Sequence, residues 1–137
     1  MRYFFVQEKD FDRFKAELKA GAAAADNDKG KAVLGILDEL EFVAGKTIVA
    51  VDGQSCNGMM VVDSLENNPE IEQWVTAVGA KGVGEPMLDW LVGEKGLEKI
   101  KIFPTNDKVR DIYKKMGFDK DLGGGYWQFV VPPPPPQ

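Results

Sequence analysis

Histidine is absent from all 137 residues. That excludes the Ser-His-Asp and Cys-His nucleophile schemes and the common zinc sites, which lean on imidazole. Acid–base chemistry must then fall to carboxylates, tyrosines, lysines or water. Cysteine is nearly absent as well: Cys56 stands alone, so no intrachain disulfide forms and a cytoplasmic location is expected. No apolar run approaches the ~18–20 residues of a membrane span, and the N-terminus, "MRYFFVQEKD", turns charged too early for a signal peptide. Positive charge is in short supply, with 17 Lys and Arg against 22 Asp and Glu, a net −5. A binder of nucleic-acid phosphates would carry a basic face instead. An acidic chain better suits a cationic or amine-bearing partner.

What remains is an ordinary globular composition, 44% hydrophobic and 28% charged, at a length that fits one domain with a real core. "MRYFFVQ" reads as a first strand. "EKDFDRFKAELKAG" spaces Phe11, Phe14 and Leu18 as one face of a helix, with Asp10 as its N-cap. "AAAADNDKG" either extends that helix or breaks it. "KAVLGILDELEFVAG" sets Val33, Ile36, Leu37 and Leu40 on a second helical stripe, with Gly45 closing the helix. Two strand-like runs then flank Asp52-Gly53, the strongest short-range hairpin signal. "IEQWVTAV" is a strand, "EPMLDWLVGEKG" a helix, and "LEKIKIFP" a strand stopped by Pro104. "NDKVRDIYKKMGF" puts Val109, Ile112, Tyr113 and Met116 on one helical face, with Gly117 as a left-handed C-cap. "FDKDLGGGYWQFVV" reads as a closing hairpin.

The order is β-α-α-β-β-β-α-β-α-β-β, an α/β (α+β) fold of one domain over residues 1–131 with a mixed central sheet. Strand, helix and strand from Ile71 to Phe103 should form a right-handed parallel β-α-β unit. Residues 132–137, "PPPPPQ", are expected to form a disordered polyproline tail outside the sheet. Trp74, Trp90, Trp127 and Tyr126 read as core or sheet-face packing, and Cys56 as a buried strand residue.

One stretch invites chemistry. In "AVGAKGVGEPMLDWL", Gly79, Gly82 and Gly84 bracket Lys81, and Pro86 follows in the first turn of a helix. A helix N-terminus carries about half a positive charge and unpaired N–H groups, and glycine lets an anion approach them closely. The spacing alone fits a mobile corner equally well. It is not a Walker A loop, because Val83 follows Gly82 where Lys and a hydroxyl are needed. Nor is it a dinucleotide fingerprint, whose third glycine would be Met87.

The run Gly79-Ala80-Lys81-Gly82-Val83-Gly84 resembles the Q/R-x-x-G-x-G/A loop of the GNAT superfamily of N-acetyltransferases. "NDKVRDIYKKMGF" resembles that family's N-x-x-A-x-x-L-Y-x-K-x-G-F segment at Asn106, Tyr113, Lys115, Gly117 and Phe118, with Val109 and Ile112 replacing the usual alanine and leucine. The hairpin with Gly58 early in its second strand is a softer match. The resemblance covers the element order of residues 1–130, with its specific motifs between Gln73 and Phe118.

The resemblance implies acetyl-CoA as co-substrate, no metal, and transfer of acetyl to a primary amine of a small molecule or protein. It implies that Gly79, Ala80, Lys81, Gly82, Val83, Gly84 and Glu85 hold the pyrophosphate at the helix start. Backbone groups of Trp74, Val75 and Thr76 on a splayed strand would face the thioester, and Asn106 and Tyr113 would complete the site. Gly79 departs from the family's Arg or Gln and removes one side-chain contact. Tyr113 is the implied general acid for the leaving thiolate; on its own it reads first as a core tyrosine of the helix stripe, and Asn106 as a helix N-cap. With no histidine, a carboxylate acting through water is the natural base, and Glu72 or Glu70 lies at the start of the relevant strand, with Glu72 the candidate taken forward. The rival function keeps the fold and the CoA pocket but acts by binding a protein partner.

Overall fold

The computed structural model describes residues 1–132; the rest of the expected polyproline tail lies outside the described residues. The chain runs β1 (Arg2–Phe5), α1 (Glu8–Ala25), α2 (Asp28–Glu39), β2 (Thr47–Asp52), β3 (Ser55–Val62), β4 (Glu70–Thr76), α3 (Gly84–Lys95), β5 (Lys99–Ile102), α4 (Asp107–Met116), β6 (Phe118–Gly123) and β7 (Tyr126–Val130). That is the order read from the sequence. The strands form one mixed sheet in the order β1-β2-β3-β4-β5-β7-β6. Among the described residues only β4 and β5 pair in parallel, as a β-α-β crossover through α3 requires. At the β2–β3 hairpin Asp52 faces Ser55, and Gly53 supplies the positive φ of 61° that the tight turn needs.

Each face of the sheet carries its own apolar layer. Ile48, Ala50, Met60, Val62, Ile71 and Trp74 pack under α3 with Met87, Leu88 and Leu91. Val49, Val51, Met59, Val61 and Val75 pack against Phe11, Phe14 and Leu18 of α1 and Leu37 of α2. Coverage on both faces explains why "TIVAV" is a continuous apolar run rather than an alternating one. Each fully buried Leu, Ile or Met stabilises the fold by roughly 1.5–3 kcal/mol.

Two helix ends differ from the sequence reading. The N-cap of α1 is Gln7 in extended conformation, without a side-chain cap, and Asp10 lies inside the first turn, its N–H donating to the Gln7 carbonyl at 3.0 Å. The buried Val6 is still tied to Thr47 (2.9 Å), so the helix begins as soon as the strand releases the chain. Helix α2 stops at Glu39, not at Gly45. Leu40 is extended and fully buried, and Phe42 packs on Phe11 with ring centroids 5.5 Å apart; these contacts draw the chain off the helix axis. Gly45, at φ 72°, serves the turn into β2 instead.

The alanine run extends α1 to Ala25, and Asn27 then caps α2 by accepting the Gly30 N–H at 2.8 Å. Gly30 is where the two helices touch: a Cβ there would collide with the Ala22 carbonyl. Cys56 is buried, as read, and burial pushes its thiol up to about 11, which leaves it unreactive. Trp90 packs half-buried between Tyr3 and Phe5. Among the described residues no helix is long and apolar enough to cross a membrane.

Candidate active site

The parallel pairing that joins β4 to β5 is brief. Glu70 faces Lys101 and Ile71 faces Ile102; β5 then ends, while β4 continues to Thr76 along β3. Past Ile71 the two strands part, and a cleft of about 480 Å³ opens along β4. Its floor is β4 from Ile71 to Thr76. One wall is α2, through Val33, Ile36 and Glu39, and the other is α4, through Val109, Ile112, Tyr113 and Met116. Because α2 and α4 lie on opposite faces of the sheet, the cleft is a slot through it.

A bulge decides which residues of β4 face which wall. Val62 lies opposite Ile71 and Val61 opposite Gln73, so Glu72 has no partner on β3. The extra residue shifts the alternation by one. Trp74 therefore joins Ile71 in the α3-side core, and Val75 joins the α1–α2 side. Unbulged, β4 would present Gln73 on the face where Trp74 now sits.

The glycine turn lies at the slot's end. Gly79 and Gly82 both adopt positive φ, 83° and 67°, and nothing lies within 4 Å of where either would carry a Cβ. No side chain caps α3 at Val83, and among the described residues the amides of Lys81, Gly82, Val83, Gly84 and Glu85 donate to no protein acceptor. This is an open helix N-terminus approached over bare backbone, suited to an anion. Gly84 is tightly seated: a Cβ would come 3.3 Å from Trp74 Cζ2 and 3.1 Å from Met116 Cε. Gly58 beneath it is tighter still, a Cβ falling 2.8 Å from Met87 Sδ, so a bare β3 backbone lets α3 approach the sheet.

Tyr113 is half-buried on the α4 wall. Its ring stacks on Trp74, centroids 5.6 Å apart and planes at 3°, and meets Phe118 at 5.9 Å. Burial pushes its hydroxyl up to about 12, so the phenol keeps its proton across the neutral range. Behind it, the Trp74 Nε1 is buried with no hydrogen-bond partner among the described residues. Glu72 is exposed at the slot's foot. Partial burial raises its carboxyl above the ordinary 4.5, helped by the charges of Asp63 and Glu70 and opposed by Lys46. Asp63, Glu70 and Glu72 each bring a carboxylate oxygen within 4.8 Å of the others, and Glu70 also reaches Lys101 at 3.8 Å.

Of the residues singled out in the sequence, the fold brings Glu72, Trp74, Val75, Thr76, Gly79, Ala80, Gly84 and Tyr113 onto one cleft. Lys81 and Gly82 on the turn and Glu85 at the start of α3 are exposed outside its lining, and Val83 is buried in the core. Asn106 caps α4, its Oδ1 accepting the Val109 N–H at 2.9 Å, and does not line the cleft. The sequence reading missed the α2 wall. Val33 and Ile36 belong to a stripe that reads as core, and nothing in a stripe's spacing tells a covered flank from an open one. A second hollow of about 390 Å³, between residues 65–69 and 95–99, holds none of these residues.

No protein-family model matches the sequence, and no curated protein does. Solved structures do match. Tetrahymena GCN5 superposes at a TM-score of 0.66 with 14% identity, over 97% of this chain and 98% of that one. The aminoglycoside 6'-N-acetyltransferase from Enterococcus faecium gives 0.59 and 13%, over 99% and 100%. A GNAT family acetyltransferase from Brucella melitensis, in complex with acetyl-CoA, gives 0.56 and 15%, over 99% and 91%. The chain has the GNAT fold. At such identities the likeness is one of architecture. Within this GNAT fold, the two short motifs read from the sequence meet at the slot between β4 and β5, the glycine turn at its end and Tyr113 on its wall.

Proposed function

We propose that the protein is an N-acetyltransferase that passes acetyl directly from acetyl-CoA to a primary amine of a small molecule or a protein. The observation that carries this reading is the parting of β4 from β5 into a slot bordered by an open helix N-terminus and a phenol that burial keeps protonated. The residues fit the co-substrate in three respects: free amides for a diphosphate, an unpaired strand edge for a chain of amides, and a proton donor for sulfur. When bound, acetyl-CoA supplies a thioester carbonyl open to attack by a neutral amine.

The chain's own groups divide the remaining work. Amides from Gly82 to Glu85 and the α3 dipole hold the pyrophosphate, with Lys81 adding charge from the exposed turn. Backbone N–H groups of Trp74 to Thr76 on the side that β5 has left donate to the thioester oxygen. Tyr113 holds the proton that the leaving sulfur requires. Glu72, acting through water, accepts the proton of the amine, its raised carboxyl bringing it nearer the working pH. Gly79 offers no side chain to the pyrophosphate, which predicts modest affinity and supports a second reading, in which the pocket binds CoA and a protein partner without turnover. A cytoplasmic location belongs to the same proposal, and the lone cysteine of the sequence is what favours it.

Thermal shift with acetyl-CoA, followed by free-CoA release with a panel of amines and proteins, tests the proposal. Stabilisation that grows with ligand concentration, together with amine-dependent CoA release, is expected. Stabilisation without release favours the binder, and no stabilisation at millimolar acetyl-CoA overturns both readings.

A further inference from the structure

The slot has two walls, and the proposed co-substrate accounts for one. The glycine turn and Tyr113 belong to the α3–α4 side of the sheet. On the other side α2 presents Val33, half-buried, and Ile36, 36% exposed, to the same cavity. An apolar stripe left open beside a polar, acidic site is unusual for a surface helix, whose apolar residues normally face the core. Leu37 on the same helix and Leu40 just past its end are fully buried, so Ile36 is uncovered because the slot lies beside it.

Charge distinguishes the two ends of this wall. Glu39, at the C-terminal end of α2, and Glu72, on the β4 bulge, both line the cavity, and Asp63 and Glu70 stand behind Glu72. Among the described residues the one basic residue on the lining, Lys29, is at the N-terminal end of α2, roughly 15 Å from Glu39 at the helical rise. Along α2 the lining between them is Ala32, Val33 and Ile36, without a polar side chain; the polar lining residues Gln73, Thr76 and Thr105 come from β4 and the segment after β5.

Resting on the acetyl-transfer reading, we infer that the acceptor is a primary amine with an apolar body, an arylalkyl or alkyl amine. Its body lies on Val33 and Ile36, and its ammonium is drawn toward Glu39 and Glu72. Polyhydroxylated amines and lysine-rich peptides are disfavoured, because the former lose hydrogen bonds to water without replacement and the latter bring little apolar surface.

The test compares phenethylamine with glucosamine and with a lysine-rich peptide, on the full chain and on Ile36→Ser. Ile36 is exposed, so the substitution leaves the fold intact. Binding of each amine is measured by calorimetry, and free-CoA release is measured in parallel. Phenethylamine should be preferred in kcat/KM by about tenfold or more, and Ile36→Ser should remove about that factor through the KM for the amine, with the KM for acetyl-CoA unchanged. Ile36-dependent binding of phenethylamine without CoA release upholds this site and overturns the transfer reading. CoA release favouring glucosamine or the peptide, or indifferent to Ile36→Ser, upholds transfer and overturns this inference. Absence of phenethylamine binding and acetylation overturns it as well.

Discussion

The indole of Trp74 and the phenol of Tyr113 lie parallel, 5.6 Å between centroids and 3° between planes, although one comes from β4 and the other from α4. The bulge at Glu72 makes the meeting possible, since it turns Trp74 toward the face that α4 covers. The stack fixes the phenol's ring beside the slot. A ring held by packing and a proton held by burial are what a general acid needs.

Tyr113→Phe keeps the stack and removes the proton. Turnover should fall about a hundredfold, within the usual worth of a general acid, while acetyl-CoA affinity stays nearly the same in calorimetry. Unchanged turnover removes Tyr113 from the mechanism. The same residue has a stability signature. Its ionisation is raised from 10.0 to about 12 on folding, so its stabilising contribution is complete below pH 10 and is lost as pH rises toward 12. The alkaline melting profile of the wild type should drop across that window more steeply than that of Tyr113→Phe.

Gly82→Val tests the turn. At φ 67° a β-branched residue is strained by roughly 1–2 kcal/mol, so the melting temperature should fall by a few degrees. The space around Gly82 is open, so the core is untouched. Acetyl-CoA should nonetheless bind about tenfold more weakly or worse, the worth of one lost hydrogen bond to a charged group. Tight binding by the variant contradicts the pyrophosphate assignment.

Glu72→Gln separates chemistry from electrostatics. As the base, Glu72 should contribute about a hundredfold to kcat/KM, with an acidic limb lying above the ordinary carboxylate value of 4.5. For stability the sign runs the other way. A carboxyl raised by burial and by Asp63 and Glu70 stabilises the fold while protonated and loses that contribution as pH rises through the raised value. Glu72→Gln should therefore melt slightly higher than the wild type at pH 7 and no higher below pH 4.5. A full-rate variant with an intact acidic limb excludes Glu72 as the base.

Much of this was legible in the residues because the local signals were strong. Asp52-Gly53 marked its hairpin, Asn106 its helix cap, and Phe11, Phe14 and Leu18 their buried face. What was hidden depends on tertiary contact. Leu40 leaves the helix because the core captures it, five residues before the glycine that looked like a cap. The bulge at Glu72 inserts one residue in a strand whose composition does not betray it. Ile36 and Ile112 sit on helical stripes that predict burial, yet Ile112 is 47% exposed, because the slot opens beside the flanks that carry them. The cleft was therefore legible at the glycine turn and at Tyr113, and illegible along the α2 wall.

Amide NMR of the full chain during titration with acetyl-CoA tests the central claim most directly. Saturable shifts are predicted at Gly82, Val83, Gly84 and Glu85, at Trp74 to Thr76 on β4, and at the Trp74 indole N–H beside Tyr113. Absence of saturable binding at millimolar acetyl-CoA, or shifts centred on residues 65–69 and 95–99, would contradict the account.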